Sequence, residues 1–158
     1  MELTQVKDVM TDKPVAAKPE TPILETARLI TEHHFNGVPV VDNDNKLVGL
    51  VTEYNLINEE SLLHLPTLQN VLKSLPVFGK DKGQFSEKVQ QVMNLKTADV
   101  MDTTPLTLYF DDSFETALKL FNDHHRVNPV PVIDRSNRLV GVLSRYDLIK
   151  LLKIYGHN

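Results

Sequence analysis

The stretch Gly141-Val142-Leu143-Ser144-Arg145-Tyr146-Asp147 puts a hydroxyl, a guanidinium and a carboxylate where an apolar run gives way to a helical pattern. Unpaired backbone N–H groups at a helix start carry partial positive charge and favour a phosphate. Ser144 adds a donor there, and Arg145 can pair with phosphate oxygens. Asp147, when ionised, accepts hydrogen bonds and donates none, which suits the adjacent hydroxyls of a ribose. A second use of the same residues stays open. Ser-x-x-Asp also has the pattern of a capping box, in which the hydroxyl caps a backbone N–H and the acid reaches back.

The first half of the chain holds a weakened copy. Thr52-Glu53-Tyr54-Asn55 aligns with Ser144-Arg145-Tyr146-Asp147, with Asn in place of the acid and Glu in place of the base. The Asn oxygen can accept, but its NH2 is a donor that would face donors. Hydrogen bonds to a charged group are worth about 1.5–3 kcal/mol against about 1 for neutral ones, on the order of tenfold in affinity. Glu53 would also repel a phosphate if turned inward. Two unequal sites are therefore expected, with the Asp147 site the stronger.

Both motifs end a long internal repeat. Val38 to Ile57 returns as Val130 to Ile149 at an offset of 92, with 11 of 20 positions identical. Upstream, Asp8-Val9-Met10 with Pro14 returns as Asp99-Val100-Met101 with Pro105, and Glu25-Thr26-Ala27 as Glu115-Thr116-Ala117. The offset drifts between 90 and 92, which implies short insertions in loops or at helix ends. A repeat of this length fixes the architecture before any single residue is interpreted.

Each copy has the same order of elements. A short opening segment leads to a Pro-initiated extended stretch (Pro14 to Ala16, Pro105 to Leu108). A helix follows, with Leu24, Ala27 and Ile30, then Phe114, Ala117, Leu118 and Phe121, at helical spacing. Thr21 and Ser113 are its expected N-caps, with Pro22 in the first turn. Apolar runs at Val38–Val41 and Leu47–Val51 flank the polar turn Asp42-Asn43-Asp44-Asn45 and form a hairpin. A second helix begins at Thr52 and at Ser144. The expected fold class is α/β (α+β), two β-α-β-β-α units packed sheet against sheet. The divisions are repeat one at 1–58, a helical insert at 59–95 and repeat two at 96–158. Within the insert, helices are expected near Thr67–Lys73 and Glu87–Met93.

A chain of 158 residues with a formal charge of -4 lacks the basic excess of a general nucleic-acid binder. With no cysteine, disulfides, thiolate zinc sites and cysteine nucleophiles are excluded. The start Met1-Glu2-Leu3-Thr4-Gln5 lacks the pattern of a secretion signal, and no apolar stretch approaches the roughly 20 residues of a membrane span. A cytoplasmic protein is expected. His33-His34 and His124-His125 invite a metal reading, but adjacent helical residues point about 100° apart, so a solvated helix end is expected instead.

Two β-α-β-β-α units, each with an Asp-Val-Met opening, a Val-Pro-Val-(Val/Ile)-Asp strand and a Gly-x-x-(Thr/Ser)-x-x-(Asp/Asn) ending, resemble a tandem of cystathionine-β-synthase (CBS) domains. The resemblance covers everything except the insert. It implies a pseudo-twofold module that binds an adenosine-containing ligand such as AMP, ADP, ATP or S-adenosylmethionine and regulates a partner protein. It places Asp147 on the ribose and Ser144 with its neighbours, Arg145 among them, on phosphate. It further implies composite sites. Lys7, Gly37, Val38 and Pro39 would complete the Asp147 site, with Gly37 either leaving room for a base or simply ending the helix. Thr97, Arg126, Val130 and Pro131 would join Thr52 and Asn55 in the weaker one. No cofactor is obligatory, and a homodimer with an unidentified regulated protein is expected. The alternative is a ligand-free dimerisation scaffold. An enzyme is not expected, since no nucleophile–base pair, metal-ligand spacing or glycine-rich phosphate loop is present.

Overall fold

The computed structural model describes residues 5–57 and 94–155. The expected helices of the insert lie outside them. Each repeat opens on a single 3-10 turn, Val6–Asp8 and Thr97–Asp99. Asp8 and Asp99 close these turns by accepting from the backbone N–H of Gln5 at 3.0 Å and of Lys96 at 2.8 Å. Repeat one continues with β1 (Thr11–Asp12), α1 (Ile23–Glu32), β2 (Gly37–Val41), β3 (Leu47–Thr52) and α2 (Glu53–Ile57). Repeat two follows with β4 (Leu108–Tyr109), α3 (Phe114–Asp123), β5 (Val130–Ile133), β6 (Leu139–Leu143) and α4 (Arg145–Tyr155). The β-α-β-β-α order holds in both repeats, but the first strand of repeat one is Thr11–Asp12 rather than the expected stretch from Pro14 to Ala16.

Local differences have simple causes. Ser113 caps α3 as expected, accepting from the Thr116 N–H at 3.1 Å. In α1 the cap position falls on Pro22, which offers no side-chain acceptor, while the Thr21 hydroxyl turns back to accept from the Lys18 N–H at 3.0 Å. The stretch after Pro14 forms no strand. Its backbone bridge to the sheet is at Ala17, parallel to Val40.

The two hairpins are near copies. Val38 pairs with Val51 and Val130 with Leu143, and each ladder shifts register at the same place, after Val40 and after Val132. The turn acids explain the recurring Asp. Asp42 Oδ1 accepts from the N–H of Asp44 and Lys46, and Asp134 Oδ1 from those of Ser136 and Arg138, all at 2.8–2.9 Å. Asn45 (φ 61°) and Asn137 (φ 63°) sit in the left-handed region that Asn tolerates. These turns dock on each other. Leu47 N–H donates to the Asn137 carbonyl and Leu139 N–H to that of Asn45, both at 3.0 Å. Val41, Leu47, Ile133 and Leu139 form a small apolar cluster beside the junction.

The opening segments are exchanged between the repeats. β1, from repeat one, pairs antiparallel with β6, giving a sheet of order β1-β6-β5-β4. Reciprocally, Asp102 and Leu50 exchange two backbone hydrogen bonds of 2.9 Å, which brings the opening of repeat two onto the β2-β3 hairpin. The cores follow the exchange. Val6 is buried with Leu108, Phe121 and Leu143, whereas Val100 is buried with Ile23, Val38 and Val51.

The Met of each opening explains the Gly of each strand. A Cβ on Gly141 would stand 2.5 Å from Met10 Sδ and 2.9 Å from the Thr11 carbonyl. One on Gly49 would stand 2.6 Å from Met101 Sδ and 3.0 Å from the Asp102 carbonyl. The thioether can move, but the carbonyl is held by strand pairing. Gly141→Ala is expected to destabilise the protein by about 1–3 kcal/mol through overpacking, read as a lower midpoint in urea unfolding.

Candidate functional site

A cleft of about 520 Å³ opens where the two repeats meet. Repeat two contributes Ser144, Tyr146 and Asp147, at the turn from β6 into α4. Repeat one contributes the segment around Lys13, together with residues 33–37 from the end of α1 to the first residue of β2. The exchange of opening segments brings these parts together, because β1 carries Thr11 alongside Val142.

Within the turn, Asp147 Oδ2 accepts from the Ser144 N–H at 2.8 Å and from the Ser144 hydroxyl at 2.7 Å. Ser144 Oγ in turn accepts from the Asp147 N–H at 3.3 Å. The capping box is therefore formed, and it uses one carboxylate oxygen. The other, Oδ1, accepts a hydrogen bond from the Thr11 hydroxyl at 3.3 Å, the long end of the range for O–H donors. Asp147 thus joins the helix cap and the cleft lining.

Repeat one builds the same cap with a different outcome. Asn55 Oδ1 accepts from the Thr52 N–H at 2.9 Å and from its hydroxyl at 2.7 Å, and the Asn55 N–H donates to Thr52 Oγ1 at 3.2 Å. The oxygen is committed to the cap, so the remaining terminal group is an NH2 donor. At the matching position Asp147 has an acceptor.

Of the residues expected in the stronger site, Ser144, Asp147, Gly37 and Pro39 line the cleft. Val38 is fully buried in the core of repeat one beside them. Arg145 is directed elsewhere. Its guanidinium donates to the carbonyls of Phe121 at 2.8 Å and His124 at 3.0 Å, and lies 5.1 Å from the centre of the Phe121 ring. It completes the end of α3, where unpaired carbonyls attract a cation. Lys7 is exposed, its backbone N–H tied to the Phe110 carbonyl, and it does not line the cleft. Gly37 does not end the helix, although it lines the cleft. The left-handed residue after α1 is His34 (φ 54°), and a Cβ on Gly37 would lie 2.8 Å from the Val51 carbonyl and 3.0 Å from Pro129 Cδ. Gly37 is there because two strands and a proline ring close on it.

The second set is partly dispersed. Thr52 and Asn55 are joined in their cap. Thr97 is fully buried, its hydroxyl shared with Thr26 at 2.7 Å and donated to the Thr21 carbonyl at 2.8 Å, so it fastens an exchanged segment. Val130 and Pro131 are buried in β5. Arg126 donates to the Tyr54 hydroxyl at 3.1 Å and lies 5.7 Å from the centre of its ring.

The cleft also holds residues that the motif did not point to, above all Thr11, Lys13, His33 and His34. The histidine pair was visible in sequence as a repeated feature, but its solvated helix end opens into the cleft. His33 stacks on Phe35 with centroids 5.0 Å apart. Among the described residues no group of three metal-ligating side chains converges, and no helix is long and apolar enough to cross a membrane. Two clear titration shifts lie outside the cleft lining. The hydrogen bond from Lys119 lowers the pKa of Asp123, and the hydrogen bond to Asp111 raises that of Arg135.

Two interlocked β-α-β-β-α repeats, with a composite cleft at the strand-to-helix turn of one, define a paired-repeat module. The chain belongs to the CBS domain family, whose model matches residues 6–61 and again residues 98–154. It is 28% identical to an uncharacterised protein of Methanocaldococcus jannaschii over 96% of this chain and 92% of that one. It is 27% identical to the chloroplastic CBS domain-containing protein CBSX1 of Arabidopsis thaliana, covering 84% of this chain but 56% of the relative. Among solved structures, CBSX2 in complex with AMP matches with a TM-score of 0.69 and 23% identity, over 95% of this chain and 97% of that one. The CBS domain pair of protein MJ0100, in complex with 5′-methylthioadenosine and S-adenosyl-L-methionine, matches with a TM-score of 0.66 and 23% identity, over 96% and 98%.

Arg145→Ala removes two charge-assisted hydrogen bonds to carbonyls at a half-exposed position. Stability is expected to fall by about 1–2 kcal/mol in chemical unfolding.

Proposed function

We propose that this chain is a regulatory module that binds an adenosine-containing ligand in the Asp147 cleft and passes its occupancy to a partner protein. The observation that carries the reading is the carboxylate oxygen of Asp147 that lies outside the helix cap. Its carboxylate has one oxygen in the helix cap and a second, weakly occupied, in a cleft formed by both repeats. A carboxylate oxygen there suits a ribose hydroxyl as donor. The volume of about 520 Å³ falls within the roughly 300–1,000 Å³ usual for small-molecule sites. The ligands of CBSX2 and of the MJ0100 pair, AMP in one and 5′-methylthioadenosine with S-adenosyl-L-methionine in the other, share an adenosine core and support the same class here. The module works as a cytoplasmic homodimer without an obligatory cofactor.

A second reading, a ligand-free scaffold, draws on the completed capping box, which gives Ser144 and Asp147 a structural use. The two are separated by a thermal-shift panel of AMP, ADP, ATP and S-adenosylmethionine. A ligand at 100 times its Kd stabilises by about 2.7 kcal/mol, a rise of about 5–10 °C for a chain of this size. No rise with any of them would favour the scaffold.

Asp147→Asn is the informative substitution, because Asn55 already makes the same cap with its oxygen. The melting temperature should stay within about 2 °C of the parent, while affinity for the bound ligand falls about tenfold in calorimetric titration.

A further inference from the structure

Four non-glycine residues among those described have positive φ: Lys13 at 50°, His34 at 54°, Asn45 at 61° and Asn137 at 63°. Two of them, Asn45 and Asn137, are the same position in the two hairpin turns, and Asn tolerates this conformation well. Lys13 and His34 have no counterpart. Thr104, which aligns with Lys13, and His125, which aligns with His34, are not left-handed. Lys13 is the more unusual of the pair, since Lys is rarely left-handed and the residue before a proline is normally pushed towards extended conformations. Both unmatched residues line the Asp147 cleft. Neither side chain makes a hydrogen bond or ion pair with another described residue.

Backbone strain of this kind persists where the surrounding structure enforces it, and it concentrates at ligand sites. In the repeat-two counterpart, Thr104 instead makes a local turn, its N–H and hydroxyl both donating to Asp102 Oδ1 at 2.9 and 3.3 Å. Both unmatched left-handed residues thus fall in the cleft with the carboxylate, and they bring a lysine and a histidine to its lining.

We infer that Lys13 is a specificity-determining residue whose ammonium, with His34 beside the same cleft, selects phosphate-bearing adenosine ligands over uncharged adenosine and over cationic S-adenosylmethionine. The inference rests on the adenosine-ligand reading above and narrows it. A bare ammonium attracts phosphate oxygens and repels a sulfonium, so the preference should grow with ligand negative charge.

The test uses the full chain with two variants. Lys13→Gln removes the charge and keeps a side chain at the strained position. Lys13→Gly removes both charge and strain. Calorimetric titration with ATP, AMP, adenosine and S-adenosylmethionine is expected to show the parent binding ATP and AMP more tightly than the other two. In both variants affinity for ATP should fall about tenfold or more, while that for adenosine changes less than about twofold. The melting temperature of Lys13→Gly should equal or exceed the parent's by up to about 3 °C, since glycine adopts positive φ freely. Equal losses for ATP and adenosine, no loss for ATP, or a parent that prefers adenosine or S-adenosylmethionine would overturn the inference and leave the adenosine reading standing. A parent that binds none of the four would overturn both.

Discussion

Met10 and Met101 each lie over a glycine in the other repeat's hairpin, and the rest of the structure depends on this reciprocal contact. Each opening segment closes its own 3-10 turn with an aspartate and buries Val6 or Thr97 at the turn's start. It then runs along a strand of the opposite copy. Neither apolar cluster is complete within one repeat, because Val6 belongs to the second and Val100 to the first. The Asp-Val-Met and Gly motifs therefore recur together. They are two halves of one contact, formed twice.

That interlocking places chemistry at the boundary between the copies. The turn into α4 would be an ordinary helix start if β1 did not bring Thr11 and Lys13 beside it. The Thr52–Asn55 and Ser144–Asp147 caps have hydrogen bonds of nearly equal length, so the fold requires the same backbone at both. What differs is the atom left over, an NH2 in one and a carboxylate oxygen in the other. The change from Asn to Asp leaves the cap unaltered and reverses the polarity offered beyond it. The surroundings diverge as well, for Arg126 rests on Tyr54 while His34 and Tyr146 line a cleft.

Much of this could be read from the residues. The repeat, the hairpins and the helix starts follow from apolar spacing and from turn residues, which are local signals. The Ser144–Asp147 turn was legible for the same reason. The exchange of opening segments was not, since periodicity says that Thr11–Asp12 is short and extended but not which strand it joins. Arg145 shows the limit at a single side chain. Its place in the motif pointed to phosphate, yet the carbonyls at the end of α3 lie close enough to take its guanidinium. His33 and His34 show the converse, where a solvated helix end turned out to border a cleft that only the assembled repeats create. Lys13 carried no pattern at all. Its conformation became visible only with the backbone.

The exchange also sets an order of events as the chain is made. Val6 hydrogen-bonds to Asp112 and Thr11 to Asp147, so the opening segment of repeat one, made before repeat two, waits for partners more than a hundred positions away. Contacts of such separation require large loop closures and slow the search for the native state. Repeat one leaves the ribosome with its opening segment unplaced and its own sheet lacking the segment around Asp102. The second repeat therefore completes the folding of the first, and each half acts as the template on which the other finishes.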